Sequence, residues 1–241
     1  MTLKSKHVVV VGGSSGIGFA VASGAVAEGA RVTIASSQAA KVAAAVERLG
    51  GGASGLAVDV TDAADVERAF AAIGGFDHLV FNAGDWGGAR RGAIGTIDLD
   101  AARGLFGVRF WGAMAVVKAA HGRIAPDGSI TLTNGMIAHR PRPGAAVSSA
   151  MAGAVEHLAR GLAVDLAPVR VNCVCPGYIL TEVWDSIPAD AREAQLAAFT
   201  KGQPLARVGQ AAEAAQAYLF LMGCGYATGQ VLKVDGGMSI V

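Results

Sequence analysis

The chain has 241 residues, of which 52% are hydrophobic and 16% charged, with a formal net charge of +1. This length and apolar content suit one large α/β domain whose sheet is covered on both faces. The near-neutral balance, without a basic run, argues against nucleic acid or an acidic membrane surface as partner, and three cysteines with no metal-ligand spacing to histidine give no expectation of a metal.

The basic start MTLKSKHVVVVGG has an apolar run of only four valines before glycine, too short for a signal peptide or membrane span. A cytoplasmic location is therefore expected. HVVVV (7–11) is continuous, β-branched and stopped by glycine, the pattern of a fully buried strand. GIGFAVASGAVAEG (16–29) reads as a helix rich in small residues. Between them GGSSGIG sets Gly12, Gly16 and Gly18 at the strand-to-helix turn, around Ser14, Ser15 and Ile17. Glycines there allow a sharp turn and close approach of the backbone to a pyrophosphate seated on the positive end of the helix. A rival motif overlaps: Gly12 to Gly16 also fits G-x-S-x-G, the hydrolase nucleophile elbow. That reading needs a later acid and then a histidine; no histidine follows His157, and the elbow would come almost at the N-terminus.

RVTIA (31–35) is the next strand, followed by Ser36 and Ser37 and a helix over 39–49. LAVDV (56–60) reads as a third strand carrying Asp59 and Val60, with a helix over 62–73. HLVFN (78–82) is a fourth, running into Asn82-Ala83-Gly84 and then into Asp85, Trp86, Arg90 and Arg91. A helix over 100–120, SITLT (129–133), a helix over 147–167, VRVNCV (169–174), a helix over 210–222 and VLKV (231–234) complete the alternation. Cys173 and Cys175 alternate on a strand, where small buried hydrophobes are expected. Repeated β-α-β units with right-handed crossovers predict one doubly wound parallel sheet of about seven strands, with helices on both faces and a ligand site beyond the carboxyl ends of its strands. No linker or repeat marks a second domain within 1–241.

The glycine loop, Asp59, Asn82-Ala83-Gly84, Asn172 before Pro176-Gly177, Thr181 in PGYILT, PLARVG (204–209) and VDGGMS (234–239) occur in one fixed order. Together they resemble the classical short-chain dehydrogenase/reductase family over essentially the whole chain. The resemblance implies a single Rossmann-type domain that binds NAD(H) or NADP(H), forms a tetramer and carries a substrate lid, here roughly 178–205. It places Asp59 toward the adenine, Asn82 at the sheet edge near the cofactor and Thr181 against the nicotinamide amide, with Val60, Ala83, Gly84, Pro176, Gly177 and Ile179 also among the cofactor-binding residues. Val11 stands where the family usually has threonine. An acid ending the second strand would select the ribose hydroxyl of NAD, and an arginine the phosphate of NADP. Ser36 and Ser37 repel neither, Ser14, Ser15 and Lys41 could assist a phosphate, and the reading leans slightly to NADP(H).

The family's chemistry implies a tyrosine, a lysine four residues later, a serine on the preceding strand and an asparagine on an earlier helix. Aligning AVEHLARGLAVDL (154–166) with the segment after the family's lysine puts Ser148 at the tyrosine position and Ala152 at the lysine position. The serine position falls on Gly135, and the asparagine position, three residues before the glycine of FWGAM, on Arg109. None of the four standard side chains is present. Ordinary carbonyl reduction is therefore expected to be very weak or absent, since general acid catalysis is worth about 10²–10⁴ in rate.

Three functions fit this pattern. The first is an active oxidoreductase with a relocated acid, His139 or Arg109; the second is a non-catalytic nucleotide-binding subunit or sensor; the third is a non-redox lyase or dehalogenase type in which Arg109 holds an anion. Tyr178, Glu182 and Trp184 open the lid. Small residues at 103–120 and 147–167, among them Gly112, Ala113, Gly153 and Gly161, allow close helix approach, which in relatives forms a subunit interface. A homotetramer or dimer is expected, possibly including an active paralogue.

Overall fold

In the computed structural model, residues 3–84 and 92–241 are described. Strand β1 (His7–Val11) is buried along its whole length. Its alternation feeds two cores: Val9 and Val11 face one cluster, Val8 and Val10 the other. This two-sided burial explains the unbroken valine run. β1 pairs in parallel with β2 (Arg31–Ser36) on one side and β4 (Phe76–Phe81) on the other. With β3 (Ser54–Ala57), β5 (Ile124–Thr133), β6 (Arg170–Pro176) and β9 (Val231–Val234), they form a seven-stranded sheet in the order β3-β2-β1-β4-β5-β6-β9. Every neighbouring pair is parallel. The direction of winding reverses between β1 and β4, which opens a crevice at their carboxyl ends.

Helices α3 (Ala63–Ile73), α5 (Ala113–Ala120) and α6 (Ala146–Asp165) cover one face. Helices α1 (Gly16–Ala27), α2 (Ala39–Leu49) and α8 (Ala211–Gly223) cover the other. Tyr218 of α8 is fully buried, and its hydroxyl lies 2.8 Å from Thr133 Oγ1 at the end of β5. Among the described residues no helix is long and apolar enough to cross a membrane.

Several elements depart from the sequence reading. The third strand occupies Ser54–Ala57 rather than 56–60, so Asp59 lies beyond it. Its Oδ1 accepts from both the amide and the hydroxyl of Thr61, a local turn that begins after the last bond to β2, from the Val58 amide to the Ser36 carbonyl at 2.9 Å. The helix expected over 100–120 is divided into α4 (Leu99–Arg103), a π-helical turn (Gly107–Gly112) and α5. Gly112 explains the tight approach: a Cβ there would lie 2.9 Å from Val60 Cγ2. Finally, the segment 178–205 contains a helix, α7 (Ala189–Thr200), that the periodicity did not reveal. Two short strands, β7 (Ile179–Leu180) and β8 (Gly209–Gln210), pair at its two ends.

Candidate active site

The loop after β1 is built for close contact with the loop after β4. Gly12 has φ +83°, and a Cβ there would fall 2.5 Å from the Ala83 amide nitrogen. A Cβ on Gly18 would fall 2.1 Å from the Gly12 carbonyl oxygen. The Asn82 amide donates to the Val11 carbonyl at 2.7 Å, fixing Asn82-Ala83-Gly84 beside the glycine loop. The Asn82 side chain lies next to the Tyr218 hydroxyl.

Helix α1 begins at this crevice without a side-chain cap and without an acidic residue in its first turn. Its first amides are thus available to an anion. Part of that role is filled by a carboxylate from the segment after β7: the Gly16 amide donates to Glu182 Oε2 at 2.8 Å. Thr181 follows the same course, with its methyl 3.3 Å from a Cβ built on Gly16. Pro176 ends β6, and Gly177 passes so near Asp235 that a Cβ would lie 2.8 Å from its Cα. Ile179 is buried beside them. The cradle of glycines, the open helix start and a carboxylate occupying an anion position fit a dinucleotide pyrophosphate.

Farther along the crevice, the Ser14 hydroxyl donates to Ser36 Oγ at 3.0 Å, linking the glycine loop to the end of β2. Ser15, Ser37 and Lys41 are exposed nearby in sequence, and no carboxylate ends β2. Asp59 is exposed, its carboxyl held below the usual range by the Thr61 donors. Val60 is buried against Gly112. Asp85, Trp86, Arg90 and Arg91 lie outside the described residues.

The four positions singled out for chemistry cluster at the same end of the fold. Arg109 sits in the π-helical turn with its guanidinium packed on Gly84, where a Cβ would lie 2.4 Å from Cζ. Gly135 follows β5, and a Cβ there would meet nothing within 4 Å. Ser148 on α6 is 4% exposed, and its Oγ has no hydrogen-bond partner. Ala152, one turn later, is 2% exposed. No lysine occurs between Lys118 and Lys201.

A polar group not foreseen from the sequence lies behind this row. Glu156, one turn beyond Ala152, is buried; its Oε1 accepts from Asn134 Nδ2 at 2.6 Å and lies 2.6 Å from His139 Nε2. Cys175, on the same face of β6 as Cys173, is buried too, and burial pushes its thiol up to about 12. Its Sγ is 3.4 Å from Met136 Sδ. One clue was present: Glu156 falls between Ala152 and Ala159 on the apolar stripe of α6, where a charge needs a partner. The lid phenol packs rather than reaching the crevice: the Tyr178 ring stacks on Phe199 at 4.8 Å, and its hydroxyl accepts from Arg142 at 3.1 Å.

Comparison with known proteins agrees with this architecture. The family model described as enoyl-(acyl carrier protein) reductase matches residues 11–239. The short-chain dehydrogenase/reductase malC of Malbranchea aurantiaca is 33% identical, over 98% of this chain and 95% of its own length. The structure of MalC reductase/Diels-Alderase from the same organism superposes with a TM-score of 0.92 at 32% identity, covering 99% of this chain and 98% of that one. A small-chain dehydrogenase crystallised with NADPH superposes with a TM-score of 0.84 at 34% identity, over 99% of this chain and all of the other. The chain belongs to the short-chain dehydrogenase/reductase family, and its scaffold is that of an NAD(P)-dependent oxidoreductase.

Proposed function

We propose that this protein binds a nicotinamide dinucleotide, with NADP(H) favoured, and that its ordinary carbonyl reductase activity is very weak because the proton-transfer residues have been replaced. The observation that carries this reading is the Ser148–Ala152 stretch of α6. At these positions the helix offers an aliphatic hydroxyl, buried and unpartnered, and a methyl group. An aliphatic hydroxyl is a poor acid and reaches less far than a phenol. One turn later a methyl group stands where an ammonium could lower a proton affinity or hold a ribose. Bound nicotinamide supplies a hydride or accepts one; the chain itself must handle the proton on the substrate oxygen. Of the replacement acids, Arg109 keeps its proton throughout the physiological range, and His139 has Nε2 engaged by Glu156.

The preference for NADP(H) rests on the hydroxyl pair Ser14–Ser36, with Ser37 and Lys41 following, at a strand end that carries no acid. Self-association is supported by the outer side of α6, where a Cβ on Gly153 or Gly161 would meet nothing within 4 Å, and by Trp111, which is 63% exposed. We place the protein as a dimer or tetramer.

The test is a thermal-shift titration with the oxidised and reduced forms of both nucleotides, followed by NADPH consumption over a panel of ketones and aldehydes. Stabilisation by nucleotide with consumption at the background rate is expected. Turnover at rates typical of enzymes, about 1–10³ s⁻¹, would refute the loss of function, and the absence of any shift would refute the binding.

A further inference from the structure

We propose that His139, Glu156 and Cys175 form a binding site for a zinc-class divalent cation, in the layer between the sheet and α6. Their donor atoms, one imidazole nitrogen, one carboxylate oxygen and one thiol sulfur, all lie within 4.8 Å of one another. They come from three separate segments: the turn after the 3₁₀ helix at Met136–Ala138, the middle of α6 and the end of β6. Sequence spacing therefore cannot reveal the set, which is why the cysteines gave no expectation of a metal. Zinc takes N, O and S donors at about 2.0–2.3 Å, and tetrahedral geometry then separates them by about 3.3–3.8 Å. The nitrogen–oxygen pair at 2.6 Å must open slightly to admit an ion. Any pair near the 4.8 Å limit must close by about 1 Å; His139 lies on a turn with its side chain 26% exposed, whereas Glu156 and Cys175 are buried.

Two further features suit the site to a cation. A carboxylate buried on an apolar helix face is costly unless its charge is compensated, and an ion compensates it more fully than one imidazole. Asn134 orients the carboxylate through its Nδ2 while its own Oδ1, also buried, has no hydrogen-bond partner. The thioether of Met136, 3.4 Å from Cys175 Sγ, adds a soft atom. Nitrogen and sulfur donors select zinc-like ions over magnesium or calcium, which prefer oxygen. An ion here would lie one residue before Pro176-Gly177 and tie the loop at 136–139 to the crevice wall.

The full-length protein, stripped with a chelator, would be titrated with zinc by calorimetry and with cobalt by absorption. One zinc per chain and a thiolate-to-cobalt charge-transfer band in the near ultraviolet are expected. Cys175→Ser, nearly isosteric, should abolish the band and weaken zinc binding by more than the roughly 10–100-fold that loss of an outer partner costs. His139→Gln, at a half-exposed position, should weaken zinc similarly, and Cys173→Ala should leave both signals intact. Far-ultraviolet circular dichroism checks that each variant is folded. Absence of zinc heat in the parent protein, or a cobalt band that survives Cys175→Ser, would overturn the assignment and leave His139–Glu156 as an ordinary hydrogen-bonded pair.

Discussion

Glu182 offers a sharp test of how the nucleotide site works. Its carboxylate accepts the Gly16 amide at 2.8 Å, at the start of α1, where a pyrophosphate would seek the same donor. Binding a dinucleotide must break this contact and move a negative charge away from two others. A hydrogen bond to a charged acceptor contributes about 1.5–3 kcal/mol; exposure of Glu182 to solvent reduces this to about 1 kcal/mol. One kilocalorie corresponds to about a 5-fold change in an equilibrium constant. Glu182→Ala removes the competitor, so the dissociation constant for NADPH should fall about 5-fold in calorimetric titration. The gain should shrink at high salt, because the charge component is screened. Unchanged or weaker binding in Glu182→Ala would mean that the carboxylate does not compete with the nucleotide, and the reasoning from the helix start would fail.

Other outcomes follow from the same structure. Gly18→Ala sets a methyl 2.1 Å from the Gly12 carbonyl, a clash with backbone that cannot relax cheaply; a loss of about 2–4 kcal/mol in urea denaturation is expected, together with loss of nucleotide binding. His78 is buried on β4, bonded to Ser129 at 2.9 Å, and burial lowers it to about 4, while unfolded histidine titrates near 6.5. The unfolded chain then binds more protons as pH falls between those values, so stability is full above about 6.5 and declines toward 4. The decline should amount to about 3 kcal/mol; His7, lowered mainly by burial, adds in the same direction. Urea midpoints that stay flat from pH 7 to 4.5 would contradict this. Phe199→Ala removes the ring that stacks on Tyr178 and packs near Trp184. Loosening the lid by about 1–2 kcal/mol should speed limited proteolysis within 182–200 by roughly tenfold.

The sequence was most informative where one physical demand governs many residues. The valines of β1 must satisfy two cores at once, and the glycines at 12 and 18 must admit backbone atoms at distances that no side chain tolerates. Hydrophobic period was a poorer guide at the third strand: Val58 and Val60 are buried as expected, yet the Asp59–Thr61 turn ends the pairing with β2 at Val58. The same limit applies at Gly107–Gly112, where a π turn is invisible to a 3.6-residue period. At the site, the motif order located Gly12 to Gly18, Asn82 and Thr181 at one crevice. Contacts between distant segments were not legible. Glu182 reaches Gly16 across 166 positions, and Glu156 meets His139 and Asn134 only because α6 packs over the end of β5.

A retained nucleotide pocket without a proton-transfer group makes a kinetic prediction. It is tested most directly by measuring NADPH binding and single-turnover hydride transfer to a carbonyl acceptor in the parent protein and in a variant carrying Arg109→Asn, Gly135→Ser, Ser148→Tyr and Ala152→Lys. Tight binding in both and a transfer rate about 10²–10⁴ higher in the variant are expected. Rapid transfer by the parent, equal to or above that of the variant, would contradict it.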